Sequence, residues 1–451
     1  MTQNPAVDRD DQGTDLHDPK ELRKVLSSTL VGTTVEWYDF FLYGVAAGII
    51  FNKQFFPSED PVVGTLLSFL TFALGFVARP IGGLIFGHVG DRIGRKKTLV
   101  MTMIIMGVAT FLMGCLPTYD QIGTLAPILL VVLRLLQGIA IGGEWGGAVL
   151  MSVEYAPAGK RSLFGSVPQM GLAIGLTLGT GVFALLGAVM SDAAFNSWGW
   201  RITFWLSIVL VVVGLVIRLR VFETPAFRAL TQAEERSSLP AKEMVSDPVT
   251  RRNLLLGMGA RWVEGVAFNT WAVFSIAYAS DTLGMERTPI LLGVMAAAVF
   301  LLVLIPVAGA LGDRYTPRLV YAAGCVFAVV AALVAFPLLG TESQVLATIG
   351  IVLALGVLYP FMYGPEAAFF AGLFPVSNRY TGISTVYQFS GIFASGLTPL
   401  VLTWLLDQAG GGMQYILGYF IVTGAVSLAC TLAIRKRDQF EEDDVRTEVT
   451  A

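Results

Sequence analysis

GHVGDRIGRKK, residues 87–97, sits between two long apolar runs, and a worn copy, GALGDRYTPR, occupies residues 309–318 about 220 positions later. A Gly-x-x-x-Asp-Arg turn with basic residues after it, once in each half and each time between apolar stretches, is the pattern of a duplicated, two-lobed membrane bundle. The interface of the halves is then where a solute would cross, so solute movement is the first functional expectation.

Composition leads to the same class. Of 451 residues, 55% are hydrophobic and 14% charged, and the mean hydropathy of +0.68 is too high for a soluble protein of this length. The lipid bilayer is therefore an expected partner. Apolar runs of about 20 residues, enough to cross as helices, fall near 27–51, 63–88, 98–117, 125–152, 162–190, 199–218, 254–280, 288–311, 318–338, 344–371, 380–406 and 414–434. They show no short alternation, and a span in hydrocarbon must satisfy its own backbone. An all-α bundle of twelve transmembrane helices in two pseudo-symmetric six-helix lobes is predicted over a barrel.

Lys20, Arg23 and Lys24 share one side of this arrangement with the basic residues of both turns, with Lys160 and Arg161, and with Arg251, Arg252, Arg379 and Arg435. The opposite loops hold little beyond Lys53 and Arg287, so both termini are expected in the cytoplasm. With no separate apolar leader in the polar tail, the first span is expected to act as an uncleaved insertion signal. The predicted layout is a tail over 1–24, a lobe over 25–220, a connector over 221–252, a second lobe over 253–437 and an acidic tail over 438–451. Cys115, Cys325 and Cys430 fall in three different spans and read as packing residues. His17 and His88 are not spaced near them as ligands, so no metal or other cofactor is expected.

A charge at the centre of a span costs about 2.5–3.5 kcal/mol on insertion scales and needs a partner or a wet cavity. Glu36 and Asp39 lie three apart in the first span, Arg79 in the second, Arg134, Glu144 and the terminal Glu154 in the fourth, Arg261 and Glu264 in the seventh, and Glu366 in the tenth. These could form only a structural charge network. The functional reading divides the roles. Arg79 or Arg134 engages an anionic solute through the planar guanidinium fork. The carboxylate of Asp39 or Glu36 that had neutralised the Arg is left to take up a proton, so that proton and anion load together. Arg261 and Glu264 read equally well as a satisfied intrahelical pair or as a substrate contact. Glu366 follows Gly364-Pro365, where a break or bend is expected.

Candidate polar contacts for a hydroxylated solute are Gln137, Gln169, Asn269, Tyr363, Tyr387 and Gln388, each of which could instead be an interhelical contact. Gly138, Gly142 and Gly146 repeat at every fourth position in QGIAIGGEWGGA and mark a close-packing face from which Glu144 and Trp145 could still reach the cavity. In the first turn Gly87 and Gly90 allow a tight crossing, and Asp91 is a lone acid among Arg92, Arg95, Lys96 and Lys97. Those bases alone would only fix topology, but the acid suggests a latch between states, assigned to Gly87, Asp91, Arg92, Gly94 and Arg95. Glu154 and Arg161 flank a turn containing Pro157 close by and complete it as a surface ion-pair network.

GHVGDRIGRKK resembles the loop motif of the major facilitator superfamily between helices two and three, and RLLQG, residues 134–138, resembles its helix-four motif. VEWYDFFLYG, FVARPIGGLIFGHVGDRIGRKK, APILLVVLRLLQGIAIGGEWGGA and WGWRITF are similar to the metabolite:proton symporter family, which carries shikimate, alpha-ketoglutarate, citrate and proline/betaine. The resemblance implies alternating access, bacterial inner-membrane placement and the proton as coupling ion. It also implies that Asp91 latches near Arg379 and that Asp39 works with Arg134. The N-terminal half is most similar to shikimate permeases, whereas YGPEAAFFAGLFPVSNRYTG in the C-terminal half resembles less characterised metabolite permeases.

The expectation is a proton-coupled importer of a small organic acid, shikimate-like and hydroxylated, acting as a monomer without nucleic acid. Alternatives are a dicarboxylate, a tricarboxylate or a zwitterionic osmolyte such as proline/betaine, the last disfavoured by the short acidic tail. A membrane enzyme is disfavoured because no HExxH occurs, and a primary pump because no phosphate loop occurs. A sensor would need a soluble output domain.

Overall fold

Backbone in hydrocarbon must close its own hydrogen bonds, and this chain does so with helices. The computed structural model describes residues 19–58, 60–93, 95–142, 145–157, 159–220, 246–375, 379–435 and 439, and no strand occurs among them. Twelve membrane-length helical runs follow in order: α1 (19–54), α2 (Pro61–Ile93), α3 (Arg95–Cys115), α4 (Leu125–Glu154), α5 (Arg161–Val189), α6 (192–220), α7 (248–282), α8 (Arg287–Arg314), α9 (Pro317–Leu339), α10 (Gln344–Ala371), α11 (Arg379–Gln408) and α12 (Gln414–Ala433). Nine are long and apolar enough, among the described residues, to cross a membrane. Of the others, α3 has a shorter apolar run, Val100–Cys115, while α1 and α7 are the helices that carry paired charges.

Caps and breaks follow local chemistry. Asp247 accepts the Thr250 N–H at 2.7 Å and Pro248 opens α7 without needing a partner for an N–H. Hydrogen bonds from Thr250, side chain before backbone, hold the Asp247 carboxyl below its ordinary range. The helix does not break at Gly364-Pro365. Both lie inside Pro360–Ala371, and the irregularity is a π-helical stretch, Val352–Leu358, just before Pro360. Gly364 is needed for another reason, since a Cβ there would lie 2.5 Å from the Ile305 carbonyl oxygen of α8. Further π turns occur at Ala47–Phe51 in α1, Phe195–Gly199 in α6, Thr270–Phe274 and Tyr278–Thr282 in α7, and Ile392–Gly396 in α11.

The polarity of the bundle is the reverse of a soluble protein's. Apolar side chains such as Val189, Val209, Val299, Val303 and Leu319 face outward, while Asp39, Arg134, Gln137, Glu264 and Glu366 are buried. The glycine repeat of α4 brings it against α2. A Cβ on Gly138 would lie 2.2 Å from the Gly75 carbonyl oxygen, and one on Gly142 would lie 2.0 Å from that of Arg79. The facing position is tighter still, 1.9 Å from Gly82 to the Ile139 carbonyl oxygen. Gly82→Ala must therefore move backbone, and overpacking of this kind costs about 1–3 kcal/mol or more. A lowered unfolding temperature in detergent is expected, and an unchanged one would refute this packing.

The lobes meet along α5 and α8, α1 and α7, and α2 and α11, and the seam is closed at both ends. The two Gly-Asp-Arg stretches, expected as turns between spans, are instead among the last helical residues of α2 and α8; at that end the Asp313 carboxylate of α8 accepts the Ser162 and Leu163 N–H groups of α5 at 2.7 and 2.9 Å. At the other end Asp281 of α7 meets Lys53 at 3.7 Å and Asn52 at 3.4 Å, both from α1. The expected connector is described only from residue 246. The side chains of 87–99 and all of Gly94 lie outside the described residues, so the expected latch through Gly87, Asp91, Arg92, Gly94 and Arg95 falls there.

Candidate functional site

Two buried charge clusters face each other across the seam. On the N-terminal side α1 contributes Glu36 and Asp39, α2 Arg79, and α4 Arg134 and Gln137, each at most 4% exposed. Asp39 and Arg134 make no direct ion pair among the described residues. A relay joins them: the Arg134 guanidinium donates to Gln137, whose amide donates to the Thr110 hydroxyl at 2.8 Å, and Thr110 donates to Asp39 Oδ2 at 3.0 Å. The other carboxylate oxygen, Oδ1, has no hydrogen-bond donor among the described residues. Arg134 lies over the Tyr43 ring at 4.0 Å, behind the cavity wall.

Arg79 is placed differently. Its guanidinium lies over the Phe76 ring at 4.3 Å and the Phe40 ring at 5.3 Å, and it makes no ion pair among the described residues. Glu36 and, from the other lobe, Arg261 act on it electrostatically at longer range.

On the C-terminal side one guanidinium serves two carboxylates. Arg261 of α7 approaches Glu264 Oε2 at 3.4 Å and Glu366 Oε1 of α10 at 3.3 Å. Arg261 also donates to Ser390 at 3.2 Å and lies over the Tyr387 ring at 3.7 Å. Tyr359 donates its hydroxyl to Glu264 Oε1. Arg261 and Glu264 are thus an intrahelical pair as well as cavity residues.

Between the clusters lies a narrow cavity with room for about one water molecule, about 10 Å³. Arg79, Arg261 and Glu264 supply its charge, Trp37, Phe40, Phe76 and Phe268 its apolar walls, and Asn269, Tyr359, Tyr387 and Ser395 its remaining polar groups. Trp37 Nε1, Asn269 Oδ1 and the Tyr387 hydroxyl are buried there without hydrogen-bond partners among the described residues.

Toward the end with the Gly-Asp-Arg turns, the remaining candidates join the lobes. Gln169 of α5 donates to Glu366 Oε2 at 3.4 Å and to the Tyr363 carbonyl at 3.3 Å, and accepts from Trp145 at 3.4 Å. Trp145 stacks on Tyr387, with ring centroids 3.5 Å apart. Gln388 donates to the Gly142 carbonyl at 2.9 Å. Of the residues expected to touch a solute, Arg79, Glu264, Tyr387 and Asn269 line the cavity, whereas Arg134, Gln137, Trp145, Gln169, Tyr363 and Gln388 stand behind or below it. Glu144 lies outside the described residues. Glu154 closes α4 at the surface and Arg161 opens α5, at the end where the seam is held by Asp313 of the second, worn turn.

Asp313 sits where the exposed dipole of a helix start favours an anion. Asp313→Asn removes the charge and one of two acceptors, weakening this closure by about 0.5–2 kcal/mol. A cysteine introduced at Ser384, which packs on Gly146 inside the seam, is then expected to react about 2- to 30-fold faster with a thiol reagent. An unchanged rate would remove Asp313 from the closure.

Reading residues singly missed the aromatic walls and the junction of Glu366 with Arg261. A signal for the walls was present. Three of the charges have a ring three or four positions away on their own helix, Phe40 for Glu36, Phe76 for Arg79 and Phe268 for Glu264, whereas Arg261 has none.

Similarity to known proteins agrees with this architecture. The family described as Sugar (and other) transporter matches residues 25–253, and the Major Facilitator Superfamily matches residues 265–449. The chain is 39% identical over 394 residues to the inner membrane metabolite transport protein YhjE of Escherichia coli K12, covering 86% of this chain and 89% of that one. It is 36% identical over 435 residues to the shikimate transporter of the same organism, covering 96% and 98%. To that organism's proline/betaine transporter it is 34% identical over 419 residues, covering 91% and 83%. Among solved structures, a D-xylose-proton symporter superposes with a TM-score of 0.69 at 18% identity, over 92% of this chain and 97% of the other.

Proposed function

This chain belongs to the major facilitator superfamily, among its metabolite permeases, and is a transporter rather than an enzyme; from that premise we propose that it imports a small organic acid together with protons by alternating access. The acid we favour is a hydroxylated carboxylate of the shikimate kind. The observation that carries this reading is Arg79, a buried cation on the cavity wall that makes no ion pair among the described residues. A guanidinium so placed is matched by a carboxylate, which it can hold through two parallel hydrogen bonds. Trp37 Nε1 adds a second donor, while Asn269 Oδ1 and Tyr387 offer partners to hydroxyl groups from the opposite wall.

Asp39 is the proton carrier of this reading, and Arg134 acts on it through Gln137 and Thr110. The two arginines thereby divide the work: Arg79 meets the solute and Arg134 meets the proton site. The closed seam corresponds to an occluded step, from which the lobes would rock open to either side. The location is the bacterial inner membrane with both termini in the cytoplasm, in keeping with the basic residues gathered on one side, and the functional unit is a monomer.

The test is uptake of labelled shikimate into proteoliposomes under an inward proton gradient, with a protonophore control and unlabelled organic acids and betaine as competitors. Gradient-dependent uptake competed best by hydroxylated ring acids is expected. Uptake of shikimate that ignores the gradient would refute coupling, and no uptake of any carboxylate would refute the substrate class. A zwitterionic osmolyte is the second reading, favoured by the ring-lined wall and by Glu264 opposite Arg79, a setting in which a quaternary ammonium is stabilised by cation–π attraction. Competition by betaine alone would select it.

A further inference from the structure

We propose that the C-terminal lobe holds a proton of its own, shared between Glu264 of α7 and Glu366 of α10 and separate from the one assigned to Asp39. The inference begins with counting charge. The N-terminal cluster balances Glu36 and Asp39 against Arg79 and Arg134. Among the described residues, the C-terminal cluster sets two carboxylates against Arg261 alone, at 3.4 and 3.3 Å, with all three side chains at most 4% exposed. One uncompensated negative charge in a water-poor interior is strongly disfavoured, and two carboxylates around one cation relieve it by retaining a proton between them.

Among the described residues, the groups facing the pair supply no further cation. Tyr359 and Tyr363 come from α10, Tyr387 from α11, and Tyr321 and Cys325 from α9, and all act on these carboxylates or on Arg261 without bringing positive charge. Arg79, across the cavity, repels Arg261 and reaches neither carboxylate within ion-pair distance among the described residues. A metal cation is a poor occupant, since Arg261 already lies against both carboxylates. Tyr359 takes Glu264 Oε1 and Gln169 takes Glu366 Oε2, which leaves Glu264 Oε2, near Arg261 but without a hydrogen bond among the described residues, as the uncommitted oxygen. The chemistry is a single O–H bond made on one carboxylate of the pair and broken when the proton leaves to water. The site belongs to the pair, not to either residue. Because Gln169 ties Glu366 to α5, the proton sits where the lobes touch.

Infrared spectroscopy of the purified protein tests this without any substrate, so its outcome is independent of which solute is carried. The C=O stretch of protonated carboxyl groups is followed on alkaline titration in the wild-type protein and in Asp39→Asn. The expected result is that Asp39→Asn keeps a titrating carboxyl band, and that adding either Glu264→Gln or Glu366→Gln abolishes it, because the remaining carboxylate is then matched one to one by Arg261. Two independent variants guard against a misfolded one, with thermal unfolding as the check on each. Absence of the band in Asp39→Asn would overturn the proposal, as would its survival in both Gln variants.

Discussion

Asp39→Asn is expected to lower the steady-state accumulation ratio of solute in proteoliposomes by about 100-fold under a gradient of two pH units, since each coupled proton contributes about tenfold per unit. The carboxylate is fully buried and, among the described residues, carries one hydrogen bond, from Thr110 at 3.0 Å. Asparagine keeps the shape and can accept that bond through its own oxygen, so folding, binding and counterflow exchange of labelled for unlabelled solute should persist. What the amide cannot do is take up and release a proton at physiological pH. Loss of accumulation with exchange intact is therefore the signature of coupling. Unchanged accumulation would remove Asp39 from the mechanism. Whatever gradient dependence survives is the share that the α7 and α10 pair would carry.

The second large effect is expected at Arg79. Removing one partner of a buried, hydrogen-bonded charge pair costs about 2–5 kcal/mol, so Arg79→Gln should weaken carboxylate binding by about 30- to 5,000-fold. Arg79→Lys should not restore it, because an ammonium lacks the planar fork and stacks less well between Phe40 and Phe76. An uncharged analogue with an alcohol in place of the carboxylate should bind wild type and Arg79→Gln about equally. If the charged and uncharged ligands lose affinity together, Arg79 only supports the wall.

The bundle was legible because its constraints are local. A span must be apolar over a membrane's width, and a turn between spans must pack tightly, so the repeated Gly-Asp-Arg stretch and the hydropathy runs located all twelve helices. Arg79 was legible for the same reason, as a lone charge in an apolar run. The partnerships were not. Nothing near Asp39 in sequence announces that Thr110 and Gln137 stand between it and Arg134, and Glu366 is separated from Arg261 by 105 positions. The i, i+3 spacing of Arg261 and Glu264 left a pair and a substrate contact equally open and gave no sign of the third member, Glu366. Asp313 sat in the more degenerate copy of the turn, and its role depends on the start of α5 in the other lobe.

The π turns of α1, α7, α10 and α11 have a mechanical meaning. Each holds one residue more than a regular turn would, a small slack wound into the rod. If that slack slips along the helix, the side chains it passes swing by about 100° while the hydrogen-bond ladder on either side stays closed. In α7 two such turns flank Ser275–Ala277: the first separates it from the end that holds Arg261 and Glu264, and the second itself carries Asp281, which meets α1. A torque applied at one end can thus be absorbed before it reaches the other, so α7 works less like a rigid lever than like a shaft with two couplings.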